Sequence, residues 1–338
     1  MKNNGSEVET KVLELLKGER FDEAVNLVET GVVKVDSKFG TNPKWTLMDS
    51  LVAHRSTRLV RRLIELGADV NQRSMYGSLL ADAAAGGDIE LVDVLLTAGA
   101  DINGRYFDIH DSELSVITTA ARSGNVDLVS YLLKMGADPR HTSKRGITAT
   151  HSPVEQGRYE MLKLLIAADC PIGGMDLHLP VVKRDREMVR FLLQNKAPVN
   201  GAWTYPSAPT GISRGDTPLH LIVAQSGCDI PVLHRPPRTS GEIARQDTIL
   251  KFRADRLEIL AALNRAGADV NAPRGKSGHT PLALALRDSD LEIARILLEG
   301  GASPATAIVL YGKSLTPRML AEQSGKQDIV QLIAAHGG

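Results

Sequence analysis

The sequence has few of the features that mark secreted or membrane-spanning proteins. It contains two cysteines in 338 residues, Cys170 and Cys228, which are too few for a disulfide framework and typical of a reducing compartment. The first residues lack the apolar run of a signal peptide, and no apolar stretch approaches the roughly 18 residues of a membrane span. We therefore expect a cytoplasmic protein with no membrane partner.

The chain also lacks an excess of charge of either sign, and it is poor in aromatic residues. Lys plus Arg and Asp plus Glu number 40 each, so no overall field attracts a nucleic acid, and we expect no nucleic-acid partner. Aromatic residues make up 4% of the chain, while Ala, Leu, Gly and Val are plentiful. This composition suits a core of thin, closely packed helices.

Complete catalytic and metal-binding motifs are missing as well. Neither cysteine belongs to a CxxC pair, and the sequence has no HExxH or GxSxG. Arg274–Ser277 (RGKS) is similar to the end of a phosphate-binding loop. However, Val270 stands where that motif needs glycine, and the stretch follows a helix turn instead of a strand. We expect no catalytic residue, no metal and no cofactor.

The sequence does have one pattern that recurs along its length. Two apolar pairs four residues apart precede a small turn and an extended stretch with Asn or Asp. The clearest copies are Leu63–Asn71, Leu95–Asn103, Leu132–Asp138 and Leu263–Asn271. A period near thirty residues is typical of a solenoid built from stacked repeats, in which no copy is large enough to fold alone.

One copy shows which helices and turns the pattern predicts. Apolar residues at helical spacing in Val116–Ala121 predict a short first helix, and Gly124 ends it. The stripe in Leu128–Leu133 predicts a second helix that ends at Gly136 in a left-handed conformation. Asp138–Ile147 is polar and extended, and we expect a hairpin-like finger there that leads into the next copy.

A start signal for the first helix appears at Thr217–His220 (TPLH), and Thr280–Leu282 and Thr316–Pro317 repeat it. Threonine can cap the helix, and proline fits the first turn, where no backbone N–H is needed. With these motifs the chain resembles the ankyrin repeat family over almost its whole length. The resemblance implies an all-α solenoid of helix-turn-helix repeats joined by fingers, and a binding scaffold instead of an enzyme.

Aligning the copies on their turn residue predicts about nine repeats in a single domain, residues 1–338. The turn residues are Gly31, Gly67, Gly99, Gly136, Asp169, Lys196, Gly267, Gly301 and Gly337.

His151, His178 and His220 share one position in three successive copies. Geometry argues against a shared metal, because stacked helices lie about 8–10 Å apart whereas zinc ligands lie about 2 Å from the ion. The resemblance implies that these histidines hydrogen-bond within and between fingers and helices.

Three segments depart from the pattern. Residues 169–175 have lost most of their finger, residues 200–216 form a lengthened loop, and residues 226–252 are an insertion between two paired helices. The latter half of the insertion, Thr239–Phe252, is expected to extend the second helix toward its N-terminus. The insertion is either a tolerated surface loop or a lid that contacts a partner.

The aromatic residues are concentrated in or beside the fingers, which hold eight of them and both tryptophans. Exposed aromatic side chains dominate binding hot spots, although these rings could equally pack the fingers onto the first helices. The candidate contacts are Trp45, Tyr76, Tyr106, Phe107, Trp203 and Tyr205. The resemblance adds Arg122, Lys183 and Arg287, which follow the small residues of a first helix and would face the groove.

Two functions remain open at this point. The first is a non-enzymatic scaffold that binds a protein partner through its concave groove and fingers. The second is an enzyme or small-molecule binder with a pocket at the junction of the sixth and seventh copies. The residues of this alternative pocket are Asp176, His178, Arg214, Asp216 and His220.

Overall fold

The computed structural model describes residues 4–40, 45–74, 77–107, 113–204, 212–224, 242–275, 278–288, 290–306, 308–310, 313–323 and 327–337. In these residues the chain is mostly helical, and the helices follow one another in contacting pairs. The predicted all-α repeat architecture is therefore confirmed. No helix in the described ranges has both the length and the apolarity needed to cross a bilayer.

Odd-numbered helices open each pair and even-numbered helices close it. The opening helices are α1 (Asn4–Lys17), α3 (Leu47–Ala53), α5 (Leu79–Gly86), α7 (Val116–Ser123), α9 (His151–Glu155), α11 (His178–Lys183), α13 (Pro218–Ala224), α15 (Pro281–Arg287) and α17 (Pro317–Gln323). The closing helices are α2 (Phe21–Glu29), α4 (Thr57–Glu65), α6 (Ile89–Thr97), α8 (Val126–Lys134), α10 (Tyr159–Ala167), α12 (Arg186–Gln194), α14 (Glu242–Arg265), α16 (Leu291–Glu299) and α18 (Gln327–Ala335).

The chain divides into two compact units, Met1–Pro171 and Ile172–Gly338. The prediction of a single domain stays a prediction. In the first unit, apolar side chains from α1 to α10 form one cluster, and Leu63, Leu95 and Leu132 are fully buried within it. In the second unit, Leu192, Leu263 and Leu297 occupy the same position of their closing helices and are also fully buried. Each such side chain stabilises the fold by about 1.5–3 kcal/mol.

The turn after each closing helix has the predicted left-handed geometry. Positive φ angles occur at all of the predicted turn residues, Gly31, Gly67, Gly99, Gly136, Asp169, Lys196, Gly267, Gly301 and Gly337. Glycine adopts this conformation without steric cost, whereas a residue with a Cβ does not. Two turns therefore carry backbone strain, at Asp169 (φ 60°) and Lys196 (φ 63°).

The Thr-Pro motifs begin helices as predicted. Pro281 is the first residue of α15, and the Thr280 hydroxyl accepts the backbone N–H of Ala283 at 3.3 Å. Helices α13 and α17 likewise begin at a proline, Pro218 and Pro317. The missing N–H of proline costs nothing there, because the first backbone donors of a helix have no partner within the helix.

Short antiparallel hairpins form several of the predicted fingers. The strands are β1 (Lys38–Phe39), β2 (Trp45–Thr46), β3 (Arg73–Ser74), β4 (Gly77–Ser78), β5 (Arg105–Phe107), β6 (Glu113–Ser115), β7 (Ile308–Leu310) and β8 (Lys313–Leu315). The hairpins β3–β4 and β5–β6 join into one four-stranded sheet, in which Gly77 pairs with Tyr106. Between α10 and α11 the described chain forms turns and no strand, as predicted for residues 169–175.

An asparagine in the finger region bridges successive copies. Asn71 donates from Nδ2 to the carbonyl of Gly99 at 2.9 Å, and its Oδ1 accepts the backbone N–H of Asp101 at 2.8 Å. Asn271 makes the same two bonds, to the carbonyl of Gly301 at 3.2 Å and the N–H of Ser303 at 2.7 Å. The bridge fixes the distance from one turn to the next and so holds neighbouring copies in register.

Helix α14 is the main departure from regular geometry. It has 24 residues, whereas α12 and α16 on either side have nine each. The predicted N-terminal extension is therefore confirmed from Glu242 onward. The additional residues span about 22 Å at 1.5 Å per residue. Residues 225–241, which include the rest of the predicted insertion, lie outside the described residues.

Two buried arginines fix the extension of α14 to the rest of the second unit. Arg184 donates from Nη1 to the carbonyl of Phe252 at 3.0 Å. Arg256 donates to the carbonyls of Ile222 and Val223 at 2.8 and 3.0 Å and to the Asp290 carboxylate at 2.8 Å. The Arg256 bonds to Ile222 and Val223 satisfy carbonyl groups in the last turn of α13, which have no partner within that helix.

Candidate binding surface

The predicted cationic contacts lie at the ends of opening helices. Arg122, Lys183 and Arg287 are exposed residues in the last turns of α7, α11 and α15. Arg287 also donates to the neighbouring Asp288 carboxylate at 2.8 Å. A cation is favourable at a helix C-terminus, so their placement satisfies the fold and leaves the charge on the surface.

The predicted aromatic contacts divide into different environments. Trp45 is half-buried in β2, where it pairs with buried Phe39 across the hairpin. Tyr106 and Phe107 form part of β5, and their side chains lie outside the described part of the chain. Tyr76 and Tyr205 are outside the described residues altogether. For this surface, Trp45 is the aromatic side chain that the structure places at least partly in solvent.

Trp203 requires a correction, because it is an interior side chain and not an exposed contact. It is 6% exposed, and its ring centroid lies 5.5 Å from that of His178. The backbone of Trp203 hydrogen-bonds to Asp216 at 2.8 Å and to Gly215 at 2.9 Å, which holds the two ends of the loop together. The ring therefore packs this loop, as the alternative interpretation of the finger aromatics expects.

Asp216 is the centre of a buried polar network in the second unit. Its carbonyl accepts from Trp203 N–H and from His178 Nε2, both at 2.8 Å. Its carboxylate accepts from Arg274 Nε at 2.5 Å and Nη2 at 3.0 Å, and from the backbone N–H of Ser213 at 2.8 Å. A fully buried carboxylate is stable in this position because two of its partners are guanidinium donors.

The shared histidines use both ring nitrogens inside the fold. The Nδ1 atom of His220 lies 2.8 Å from the Thr217 hydroxyl, and its Nε2 lies 3.0 Å from the carbonyl of Ala272. The Nδ1 atom of His178 lies 3.1 Å from the carbonyl of Met175. Burial lowers the pKa of both imidazoles and holds them neutral. The geometry of His178 and His220 fits the hydrogen-bonding role that the resemblance implied. The Nε2 atom of the third histidine, His151, lies 3.8 Å from Oε1 of Glu155.

The residues of the alternative pocket are mostly engaged within the protein. Asp176, His178, Asp216 and His220 are at most 2% exposed, and the Asp176 carboxylate accepts the N–H of Gly173 at 2.8 Å. Arg214 is exposed. Among the described residues, no group of three or more His, Cys, Asp or Glu could hold a metal ion. The bonds favour a structural role for the four buried side chains.

Two arginines that join helices of the second unit were not recognised from the sequence. Arg184 and Arg256 are 5% and 8% exposed, although arginine usually lies on the surface. Arg184 has a φ of 56°, which turns its side chain toward the α14 extension. From sequence, an arginine at the end of α11 is expected to lie in solvent. Arg184 is buried because its side chain contacts Phe252, which is distant in sequence.

Comparisons with known proteins agree with this architecture. A family model described as "Ankyrin repeats (3 copies)" matches residues 80–176 and 118–202, and one described as "Ankyrin repeat" matches residues 277–307. A stretch of 168 residues, 48% of the chain, is 29% identical to the nuclear factor NF-kappa-B p105 subunit of Gallus gallus. The chain covers only 16% of the length of that relative.

Proposed function

We propose that this chain, a member of the ankyrin repeat family, is a scaffold that binds a protein partner through its fingers and opening helices. Ankyrin repeats generally mediate protein–protein interactions. The proposal includes nine copies in a single domain, one for each pair of helices. It also includes action in the cytoplasm, which the low cysteine content favours.

The observation that carries the proposal is that each of the two units packs its opening helices side by side with cations at repeated positions. Arg122, Lys183 and Arg287 stand on the same turn of their opening helices, and buried leucines and the asparagine bridges fix those helices. Since such a surface is already ordered before binding, little conformational entropy opposes association. On the first unit a partner would meet Arg122 and the half-buried Trp45, and on the second unit it would meet Lys183 and Arg287.

Affinity capture with the purified chain tests this proposal. The bait is compared with the triple variant Arg122→Glu, Lys183→Glu, Arg287→Glu on a lysate of the source organism. A matched control carries Lys134→Glu, Lys251→Glu and Arg295→Glu, which reverse exposed cations on closing helices. We expect a protein that the bait and the control retain and the first variant loses.

The same experiment can contradict the proposal in two ways. Retention of a small molecule with no protein would favour the pocket interpretation. A protein retained equally by both charge-reversed baits would show that the opening helices do not form the contact. Thermal unfolding of the three baits establishes that the variants are folded, since surface substitutions of this kind usually change stability by about 0.5 kcal/mol or less.

A further inference from the structure

The position that His220 occupies in α13 is held by an aspartate in α3. His220 is the third residue of α13 and lies three positions after Thr217. Asp49 is the third residue of α3 and lies three positions after Thr46. Both helices therefore begin after a threonine and carry an ionisable side chain at the same place, so the two side chains can be compared atom by atom.

The first polar atom of each side chain makes the same contacts with the threonine. The Nδ1 atom of His220 accepts the backbone N–H of Thr217 at 3.3 Å and lies 2.8 Å from its hydroxyl. The Oδ2 atom of Asp49 accepts the backbone N–H of Thr46 at 2.8 Å and its hydroxyl at 2.9 Å. In both helices this atom is an acceptor that closes the first turn. Because Nδ1 of His220 accepts, the neutral ring carries its proton on Nε2.

The second polar atom distinguishes the two side chains. The Nε2–H of His220 donates to the carbonyl of Ala272 at 3.0 Å, at the start of the following finger. In the first unit Gln72 stands at the position of Ala272, since each directly follows a bridging asparagine. The Oδ1 atom of Asp49 is buried and has no hydrogen-bond partner among the described residues. An ionised carboxylate has no proton to donate, so it cannot make the contact that His220 makes.

A protonated carboxyl has the same pattern of hydrogen-bonding groups as the neutral imidazole of His220. Its carbonyl oxygen accepts, as Nδ1 does, and its hydroxyl donates, as the Nε2–H does. Asp49 is 7% exposed, and a charged oxygen that is buried without a partner is costly. A proton on Oδ1 removes this cost, keeps both bonds from Thr46 and supplies the missing donor.

The surroundings of Asp49 favour its neutral form. Burial raises the pKa of the carboxyl, and the hydrogen bonds from Thr46 and the charge of Lys38 on β1 act against burial. When the folded pKa lies above the unfolded value of about 3.9, the stabilisation by the protonated form is present at low pH. That stabilisation is lost as the pH rises through the folded pKa.

Other charges on the elements that pack against α3 are few or already paired. These elements are α2, α4, α5 and β2. Every charged residue of α2 and α4 belongs to an exposed ion pair, for example Arg58 with Asp22 and Arg62 with Glu29. Helix α5 carries a single acid, Asp82, and β2 carries no charge. A proton is therefore the simplest group that can satisfy the buried Oδ1.

We propose that Asp49 is a proton-operated latch between α3 and the finger that begins at Gln72. On taking up a proton at Oδ1, the carboxyl donates to the Gln72 carbonyl, as His220 donates to Ala272 in the second unit. The contact in the first unit is made at low pH and released when the carboxyl ionises. The side-chain amide of Gln72 is the competing partner, because its Nε2 atom is also buried without a partner among the described residues.

Urea unfolding of the full chain with substitutions at Asp49 tests the latch. Asp49→Asn keeps an acceptor for Thr46 and carries a permanent donor, whereas Asp49→Ala removes both groups. Asp127→Asn is the matched control, because it removes an exposed acid from the first turn of α8. Circular dichroism at each pH establishes that the variants are folded before urea is added.

At about pH 7.5 the urea midpoint of Asp49→Asn should lie above those of the wild type and the control, and the midpoint of Asp49→Ala should lie below them. The advantage of Asp49→Asn should shrink as the pH falls toward about 4.5, because the wild-type carboxyl then becomes protonated. Gln72→Met, which removes the side-chain amide, should leave this pH dependence unchanged.

The proposal is overturned if the midpoint of Asp49→Asn lies at or below that of the wild type at about pH 7.5, or if its advantage is the same at both pH values. A pH dependence that Gln72→Met abolishes would assign the contact to the Gln72 amide and also overturn it. Carbon-13 NMR of the Asp49 carboxyl gives an independent readout. Titration at or below about pH 3.9, the unfolded value, would contradict the latch.

Discussion

At the scale of single residues, the turns differ in whether the residue present adopts the left-handed conformation without strain. Seven predicted turn positions hold glycine, but Asp169 and Lys196 adopt the same left-handed conformation with a side chain. That conformation costs an L-residue about 1–2 kcal/mol. At Gly136 a Cβ would meet no atom within 4 Å, so the penalty there comes from the backbone and not from crowding.

Lys196→Gly should therefore stabilise the chain. The relief of strain exceeds the roughly 0.5–1 kcal/mol that glycine costs through the unfolded state, so the free energy of unfolding in urea should rise by up to about 1 kcal/mol. The reverse change, Gly136→Lys, should lower it by about 1 kcal/mol. As a control, Lys134→Gly removes a lysine from helical backbone and should destabilise. A loss at Lys196→Gly equal to that control would refute the strain argument.

The buried histidines make stability depend on pH. In the unfolded chain histidine titrates near pH 6.5, but burial lowers the pKa of His178 and His220 in the folded protein. Their contribution is therefore fully present above about pH 6.5 and is lost as the pH falls toward the folded pKa. The free energy of unfolding should fall over that range by up to about 1.4 kcal/mol per pH unit for each histidine.

Urea titrations between about pH 8 and about pH 5.5 measure this slope. The double variant His178→Gln, His220→Gln should be less stable at high pH and should lose most of the slope. His336→Gln replaces an exposed histidine and should keep it. Asp49 acts in the opposite direction, because burial raises the pKa of its carboxyl. An unchanged slope in the double variant would show that these histidines are not the groups responsible.

At the scale of elements, the bridging asparagines convert local turns into a stacked array. In each bridge, the side-chain amide of one asparagine both donates to and accepts from the backbone of the following copy, as Asn71 and Asn271 do. Asn200 repeats the arrangement with Gly267 and Asp269 at 3.2 and 2.7 Å, across the sequence insertion. The register of the closing helices is therefore maintained even where the connecting segment is long.

Asn271→Ala should lower the free energy of unfolding by about 1–2 kcal/mol, because it removes two hydrogen bonds to neighbouring backbone. Asn271→Asp keeps the acceptor for the Ser303 N–H and loses the donor to the Gly301 carbonyl, so it should fall between alanine and wild type. Chemical denaturation measures both. The control, Gln156→Ala at an exposed position, should change little. Equal losses for alanine and aspartate would mean that only the donor matters.

Sequence patterns predicted where helices begin better than they predicted which distant segments contact one another. The Thr-Pro motifs correctly predict where α13, α15 and α17 begin, because caps and first-turn prolines depend on neighbours in sequence. The joining of two fingers through Gly77 and Tyr106 was not predicted, and the burial of Trp203 was left open as an alternative to an exposed contact. Both depend on which distant segments meet, and the local alternation of polar and apolar residues contains no such information.

At the scale of the whole molecule, the residues that form the repeat pattern differ from those proposed to bind a partner. The repeat pattern consists of buried leucines and turn residues, and these determine the ankyrin fold. Under the proposed function, partner choice would depend on exposed positions such as Arg122, Lys183 and Arg287, which the repeat pattern does not specify. The fold could therefore be predicted from sequence with its elements in place, whereas the binding surface could be predicted only as a set of positions.

Hydrogen–deuterium exchange on the chain with its captured protein partner measures directly which helices contact that partner. The scaffold account predicts slower exchange on binding in the fingers and opening helices, for example in residues 113–123, 175–183 and 280–288, with α8, α10 and α16 unchanged. Contact by a surface reduces local opening and exposure of its amides. Unchanged exchange in all three segments, with protection confined to closing helices, would show that the partner does not bind the fingers and opening helices.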